Sequence, residues 1–413
     1  MPGPMTATST SEPRSLALGG DPDALRAWAE DAGRELGEAL RTVLGALPGA
    51  GEGPIELAKR LGLNRDVAGR VLLSVPRPPL EVLADIPGPE PLRRFLAAAR
   101  RAGAGEAAVE RAARAVEDFQ ALIRDGCGTR DGLTALLSGS VREVRERLEL
   151  AARSASFKGA SQLAGVGAEL WVDLKMFAAT GGEPHRCDVA MVSGPVGLRR
   201  LRPDAAVQLR SMALRPPSAG GGVIFGLGDL AAYCPNRAGE CEIERIGDDV
   251  AYRLVDRRIG PQGLMDVLAG EVRRSLLPTR YDAARLAERE GVLAYSAVNA
   301  DVPAQTLVSD LFVEEGLYGA FEPVPVVLRN VGSELVPVFG EPASRLRVEP
   351  LEAVEPLGPG PEDWAFDAFP AYGAMVRHVG ERLAGGVRVF RGYRLRVPYP
   401  VATWQYAIAL RAG

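Results

Sequence analysis

The chain has 413 residues, of which 46% are apolar and 25% charged, with a formal net charge of −4. That length exceeds a single core and suggests roughly two or three domains. The charge excludes an indiscriminate, strongly basic nucleic-acid binder, and four cysteines in so long a chain exclude a disulfide framework. Of 49 basic residues only Lys59, Lys158 and Lys175 are lysines, an imbalance that fits the codon usage of a GC-rich bacterial genome. No run reaches the ~18 apolar residues of a membrane span, and the N-terminus has no signal-like apolar core. The sequence therefore predicts a cytoplasmic protein with no membrane partner.

Residues 1–20 are rich in Pro, Ser, Thr and Gly and read as a flexible tail. Asp21-Pro22 supplies a cap and a first-turn proline. Leu25, Trp28, Ala32, Leu36, Leu40 and Leu44 then keep helical spacing to about Leu47. Pro48–Gly53 interrupts the pattern. Next comes PIELAKRLGLNRDVAGRVLLSV, residues 54–75. Leu57, Ala58 and Leu61 share one helical face. Gly62-Leu63 makes a turn suited to a left-handed helix end, Asn64 caps a second helix, and Ala68, Val71, Leu72 and Val75 give that helix its buried side.

This stretch resembles the helix-turn-helix of bacterial transcription regulators, in the style of winged-helix repressors. The resemblance implies that the second helix enters the major groove of double-stranded DNA. Arg65 and Arg70 are then the base readers and Lys59, Arg60 and Arg77 the phosphate contacts, with Asn64 counted among the DNA-binding residues. Gly69 and Asp66 fit that role less well: glycine weakens a helix and the carboxylate repels phosphate. Pro76–Pro79 ends the motif. LEVLADIPGPEPLRRFLAAARRAG follows and reads as helical, so a plain helical variant is expected in place of a β-hairpin wing. Helices are further expected over 106–124, 129–138 and 141–157.

Near Gly165 the period changes. In ELWVDLKMFA, residues 169–178, Leu170, Val172, Leu174 and Met176 alternate with Trp171, Asp173, Lys175 and Phe177, a strand pattern. Further strands are expected at 188–192, 205–214, 242–246, 250–255, 292–298, 324–328, 345–348, 387–397 and 404–410. Helices are expected at 261–277, 281–289 and 363–384. The expected fold class is α+β multidomain. An all-helical region, 21–162, carries the helix-turn-helix, and an α+β region, 163–413, has a mostly antiparallel or mixed sheet.

Few motifs in the second half carry chemistry. Arg199, Arg200 and Arg202 follow the Gly-rich SGPVG and form a weak candidate anion site, against a solvated turn. That segment and GGGVIFGLGD lack the features of a P-loop or dinucleotide fingerprint. His185, Cys187, Cys234 and Cys241 lack the tight knuckle spacing of a zinc site, so no metal is expected. With only His185 and His378, no GxSxG and no HExxH, no catalytic residues and no cofactor are assigned. His378 reads as structural on an amphipathic helix. Glu314, Glu315, Glu362 and Asp363 fall in loop-like sequence and read as surface charge. The C-terminal run interleaves Arg388, Arg391, Arg394 and Arg396 with Phe390, Tyr393, Tyr399, Trp404 and Tyr406; it reads as a two-stranded sheet edge, with single-strand binding as a lesser option.

The expectation is a DNA-binding regulator, homo-oligomeric through helices between about 88 and 157. Its second domain would sense a small-molecule effector or mediate assembly. A structural or assembly protein, and an enzyme with an unrecognised site in 165–413, are the alternatives.

Overall fold

The computed structural model describes residues 21–47, 53–181, 183, 185–211, 223–225, 227–236, 241–246, 249–255, 257–329, 331, 335–358, 361–384 and 388–413. The expected tail, 1–20, lies outside them. The chain divides into two compact units, Met1–Glu149 and Leu150–Gly413, so the division falls inside a helix and not at the expected residue 162.

The first unit is helical. Its elements are α1 (Pro22–Ala46), α2 (Pro54–Leu61), α3 (Arg65–Ser74), α4 (Pro79–Asp85), α5 (Pro89–Arg101), α6 (Glu106–Ala121), α7 (Arg130–Ser138) and the start of α8 (Arg142–Ala164). Asp21 caps α1 by accepting from the Asp23 N–H. The stripe Trp28, Ala32, Leu36, Leu40 and Val43 is buried, as its 3.6-residue period requires. It joins Leu83, Ile86, Leu92, Phe95, Val116 and Phe119 in one core. α6 runs into a single π-helical turn, Leu122–Gly126. A β-carbon at Gly126 would come within 2.8 Å of Leu25 and 3.1 Å of Trp28, so glycine lets this turn lie on α1. Helices follow the motif, with no strand among the described residues of 76–149.

The second unit is a mixed α/β domain. The last part of α8 leads into β1 (Val166–Ala179). Then come β2 (Arg186–Val196), β3 (Arg199–Arg200), β4 (Gln208–Ser211), β5 (Val223–Phe225), α9 (Leu227–Leu230), β6 (Cys241–Ile246), β7 (Asp249–Leu254), β8 (Ala269–Pro278), α10 (Ala283–Glu288), β9 (Val292–Val298) and β10 (Ala304–Glu314). β11 (Phe321–Leu328), α11 (Gly340–Leu346), β12 (Arg347–Val348), β13 (Val354–Pro356), α12 (Pro361–Trp364), α13 (Tyr372–Ala384), β14 (Phe390–Pro398) and β15 (Gln405–Ala412) complete it. The large sheet runs β13-β14-β10-β1-β2-β8-β5, with β3 paired to β1; β12-β11-β15-β9 and β4-β7-β6 form two smaller sheets. β1 and β10 are parallel, while the other strand-to-strand pairings among the described residues are antiparallel. The expected mixed sheet is what forms.

Layering follows from which faces are apolar. One face of the large sheet, with Trp171, Phe177, Leu307 and Leu311, packs against Ala294, Val298, Tyr406, Ile408 and Leu410 of the β9–β11–β15 sheet. The opposite face, with Leu170, Val172, Leu174, Met176, Val308 and Phe312, is covered by Tyr372, Met375, Val376, Val379 and Leu383 of α13. Ala343 of α11 and Val338 cover the far side of the smaller sheet. The order is helix, sheet, sheet, helix. β1 thus alternates because its two faces meet different layers, both dry.

Several expectations change. Residues 261–277 are not a helix. Leu264, Val267 and Leu268 have helical spacing, but β2 imposes strand pairing on 269–278, and Gly270 admits the Met191 carbonyl where a β-carbon would sit 2.1 Å away. Of the expected strand 345–348, the first two residues end helix α11 and the last two form β12. The 363–384 helix is broken between Trp364 and Tyr372. Strand β10 lacked a sequence signal although it is central. Residues 212–214 of the expected 205–214 strand lie outside the described residues.

Candidate nucleic-acid interface and the charges of the second unit

The corner at 54–75 forms as two helices around a left-handed turn. Gly62 adopts φ 63°, ψ 36° and its N–H reaches the Ala58 and Lys59 carbonyls, while Leu63 N–H bonds to Ala58 O at 2.9 Å. These bonds satisfy carbonyls that a helix end leaves open. Leu57, Ala58, Leu61, Ala68 and Val71 are buried beneath the corner. Asn64 accepts from the Asp66 N–H at 2.8 Å, so its side chain is occupied as a cap.

Lys59, Arg60 and Arg65 are exposed around the turn, two in the last turn of α2 and one in the first turn of α3. Arg70 and Arg77 are placed differently. Arg70 donates from Nε to Asp85 O at 2.9 Å and from Nη2 to Ile86 O at 3.1 Å. Arg77 pairs with the Asp85 carboxylate, as does Arg147 at 2.9 Å. Arg130 donates to Leu83 O at 2.7 Å and to Ile86 O at 3.2 Å. Burial, then the nearby Arg70 charge, pushes the Arg130 guanidinium down to about 10. Four guanidinium groups thus converge on the carbonyl end of α4, the negative pole of that helix. Arg70, read from the sequence as a base contact, is a strut between α3 and α4. Gly69 is not forced by crowding, since a β-carbon there would meet only Pro54 at 3.6 Å. Ile55 and Leu73, on the same two helices, are 55% and 65% exposed.

The arginine cluster of the second unit does not converge. Arg199 is exposed, while Arg200 is buried and donates to the Ala205 carbonyl and to Leu254 O at 2.7 Å. Arg202 donates to Leu163 O at 3.2 Å. The preceding glycines serve the backbone: Gly194, inside β2 and not in a loop, has a β-carbon position 1.9 Å from Val267 O.

Cys187 lies inside β2 with its Sγ 3.6 Å from the Tyr318 hydroxyl. Cys234 donates to Leu230 O. Burial pushes the Cys234 thiol up to about 12 and the Cys241 thiol up to about 11, so both stay protonated at neutral pH. His185 is exposed, and His378 packs its ring on Tyr233 at 5.5 Å. Among the described residues no group of three or more His, Cys, Asp or Glu could hold a metal ion, and no helix is long and apolar enough to cross a membrane.

The C-terminal arginines are not a sheet edge. β14 lies between β10 and β13, and β15 lies in the other sheet between β11 and β9. Arg394 reaches Asp310 with two bonds, 2.9 and 2.7 Å, and lies over the rings of Phe366 and Tyr372. Arg388 pairs with Glu314 and Arg391 with Glu315, at 2.7 and 2.6 Å. Glu314 is the last residue of β10 and not loop charge. Of the same acidic set, Asp363 belongs to α12; the Glu362 side chain lies outside what is described.

A second buried ion pair occupies the opposite face. Lys175 Nζ donates to both Asp173 oxygens, 2.9 and 2.7 Å, and to Ala297 O at 3.0 Å. The hydroxyls of Ser296 and Ser309 donate to Asp173 Oδ2 at 3.3 and 3.2 Å. All four side chains are buried, and the network joins the two sheets. Sequence reading placed Asp173 and Lys175 on one strand face but had no signal for their partners, which come from strands more than a hundred residues away. Comparison with protein-family models, curated proteins and solved structures finds no match for the chain.

Proposed function

We propose that the chain is a DNA-binding regulator that presents the α2–α3 corner to the major groove of double-stranded DNA as a homo-oligomer. The observation that carries this reading is the exposure of Lys59, Arg60 and Arg65 around a correctly capped turn. In this reading the three cations meet phosphates and base edges, while Arg70 and Arg77 keep α4 in place. The second unit senses a small molecule or holds subunits together. The test is selection of bound duplexes from a random library by the full chain, followed by affinity against salt. The reading requires a steep loss of affinity with salt and a shallower slope in K59A/R60A/R65A. No enriched sequence, or an unchanged slope, overturns it.

One observation favours a second reading. Ile55 and Leu73 expose apolar surface on the helices that would face DNA, and such surface also suits protein assembly. Discrete large oligomers that form without DNA and dissociate in I55D/L73D would select it.

A further inference from the structure

At the β10–β14–β13 end of the large sheet lies a cavity of about 520 Å³, lined by Thr306, Glu352, Ala353, Glu355, Arg396 and Pro398. That volume is in the range of small-molecule sites. Strand register explains the lining. Asp310 is opposite Arg394 and Thr306 opposite Pro398, and Glu355 is opposite Arg394. Paired residues share a face, as do residues two apart. Thr306, Arg396 and Glu355 therefore extend the face that carries the Asp310–Arg394 pair.

Glu352 comes from the segment before β13. Its side chain is 7% exposed and one oxygen pairs with Arg153 of α8. The other, Oε2, is buried and has no hydrogen-bond partner among the described residues. A buried carboxylate oxygen at the wall of a cavity requires a donor, and a charged donor makes the stronger bond. Arg396, by contrast, offers a forked donor suited to a carboxylate. The lining therefore combines a buried, unmet acceptor on Glu352 and the exposed carboxylate of Glu355 with one guanidinium and one hydroxyl.

We propose that this cavity binds a small zwitterion of the α-amino-acid class. Its ammonium group bonds Glu352 and Glu355, and its carboxylate bonds Arg396 and the Thr306 hydroxyl. Because Arg153 holds the other Glu352 oxygen and lies 5.9 Å over the Trp404 ring, occupation is registered by α8. The proposal names the ligand class of the sensing role and rests on that reading only for its consequence; its test contains no DNA, so the two fail separately.

The experiment is thermal-shift and calorimetric titration of the full chain with the standard L-amino acids, each singly. Controls are the N-acetyl and amide derivatives of any binder, putrescine and acetate. At least one amino acid raises the melting temperature. Removing either of its charged ends, or introducing E352Q or R396A, weakens binding by about tenfold or more. Arg396 is exposed, so R396A keeps the test valid where E352Q fails to fold. No binding by any amino acid, unchanged binding in R396A, or equal binding of putrescine or acetate alone overturns the proposal.

Discussion

Asp310 and Arg394 stand opposite each other on β10 and β14, joined by two hydrogen bonds inside a layer where Asp310 has no exposed surface. Burial raises the Asp310 carboxyl above the ordinary carboxylate range, against the opposing pull of Arg394. The pair sits beneath α13, between Tyr372 and Phe366. Removing one partner strands the other charge without water. D310L or R394M alone is expected to destabilise the second unit by roughly 3–5 kcal/mol, and the double variant by much less. Urea unfolding followed by tryptophan fluorescence checks this, since Trp171, Trp364 and Trp404 lie in that unit. Additive losses in the double variant would refute the coupling.

Glu271 on β8 gives a pH dependence. Burial pushes its carboxyl up from 4.5 to about 7, outweighing the neighbouring Arg273. Between those values the folded chain holds a proton that the unfolded chain has released. Stability from this group is therefore full below pH 4.5, falls as pH rises through the window, and is lost above pH 7. The loss is roughly 3 kcal/mol from the size of the shift. E271Q should match the wild type in stability at acid pH and exceed it at alkaline pH. Parallel pH profiles of the two urea midpoints would show that the carboxyl is ordinary.

The α2–α3 turn depends on two residues of different chemistry. Gly62 holds φ 63°, and a side chain there costs about 1 kcal/mol or more. Asn64 caps α3 through the Asp66 N–H, and N64A costs about 1 kcal/mol. Both G62A and N64A should lower the melting temperature of the first unit, while N64D should retain most of the cap. Equal melting for all three variants contradicts these assignments.

Arg65 and Arg70 should separate binding from stability. R70A removes two bonds to the end of α4 and is expected to cost roughly 1–3 kcal/mol, with the salt slope of DNA binding unchanged. R65A should leave stability within about 0.5 kcal/mol and make the salt slope shallower by about one. The reverse pattern would place Arg70 on DNA.

The helical unit was legible because its periods are clean: Trp28, Leu36 and Leu40 announce one face, and Gly62 and Asn64 mark a turn by local chemistry. Local chemistry could not reveal that Arg70 bends inward, because its acceptors are backbone carbonyls fifteen and sixteen residues away. In the second unit β1 was readable from alternation. β10 was not, because Thr306, Ser309 and Asp310 interrupt its apolar run and their partners come from β1 and β14. Residues 261–277 show the same limit, with helical spacing overruled by pairing to β2. The cavity carried no signal, since Thr306, Glu352 and Arg396 meet only when β10, β14 and the segment before β13 are assembled.

The two ion pairs on opposite faces of the central strands also act on how the chain finds its fold. Sliding β1 or β10 by one position would drive Asp173, Lys175 or Asp310 into the wrong layer, away from its counter-charge and hydroxyl donors. A sheet dressed only in valine and leucine on both sides could tolerate such slippage; this one rejects it. The two buried pairs thus mark one alignment of β1 and β10 as the one in which every central charge meets its counter-charge.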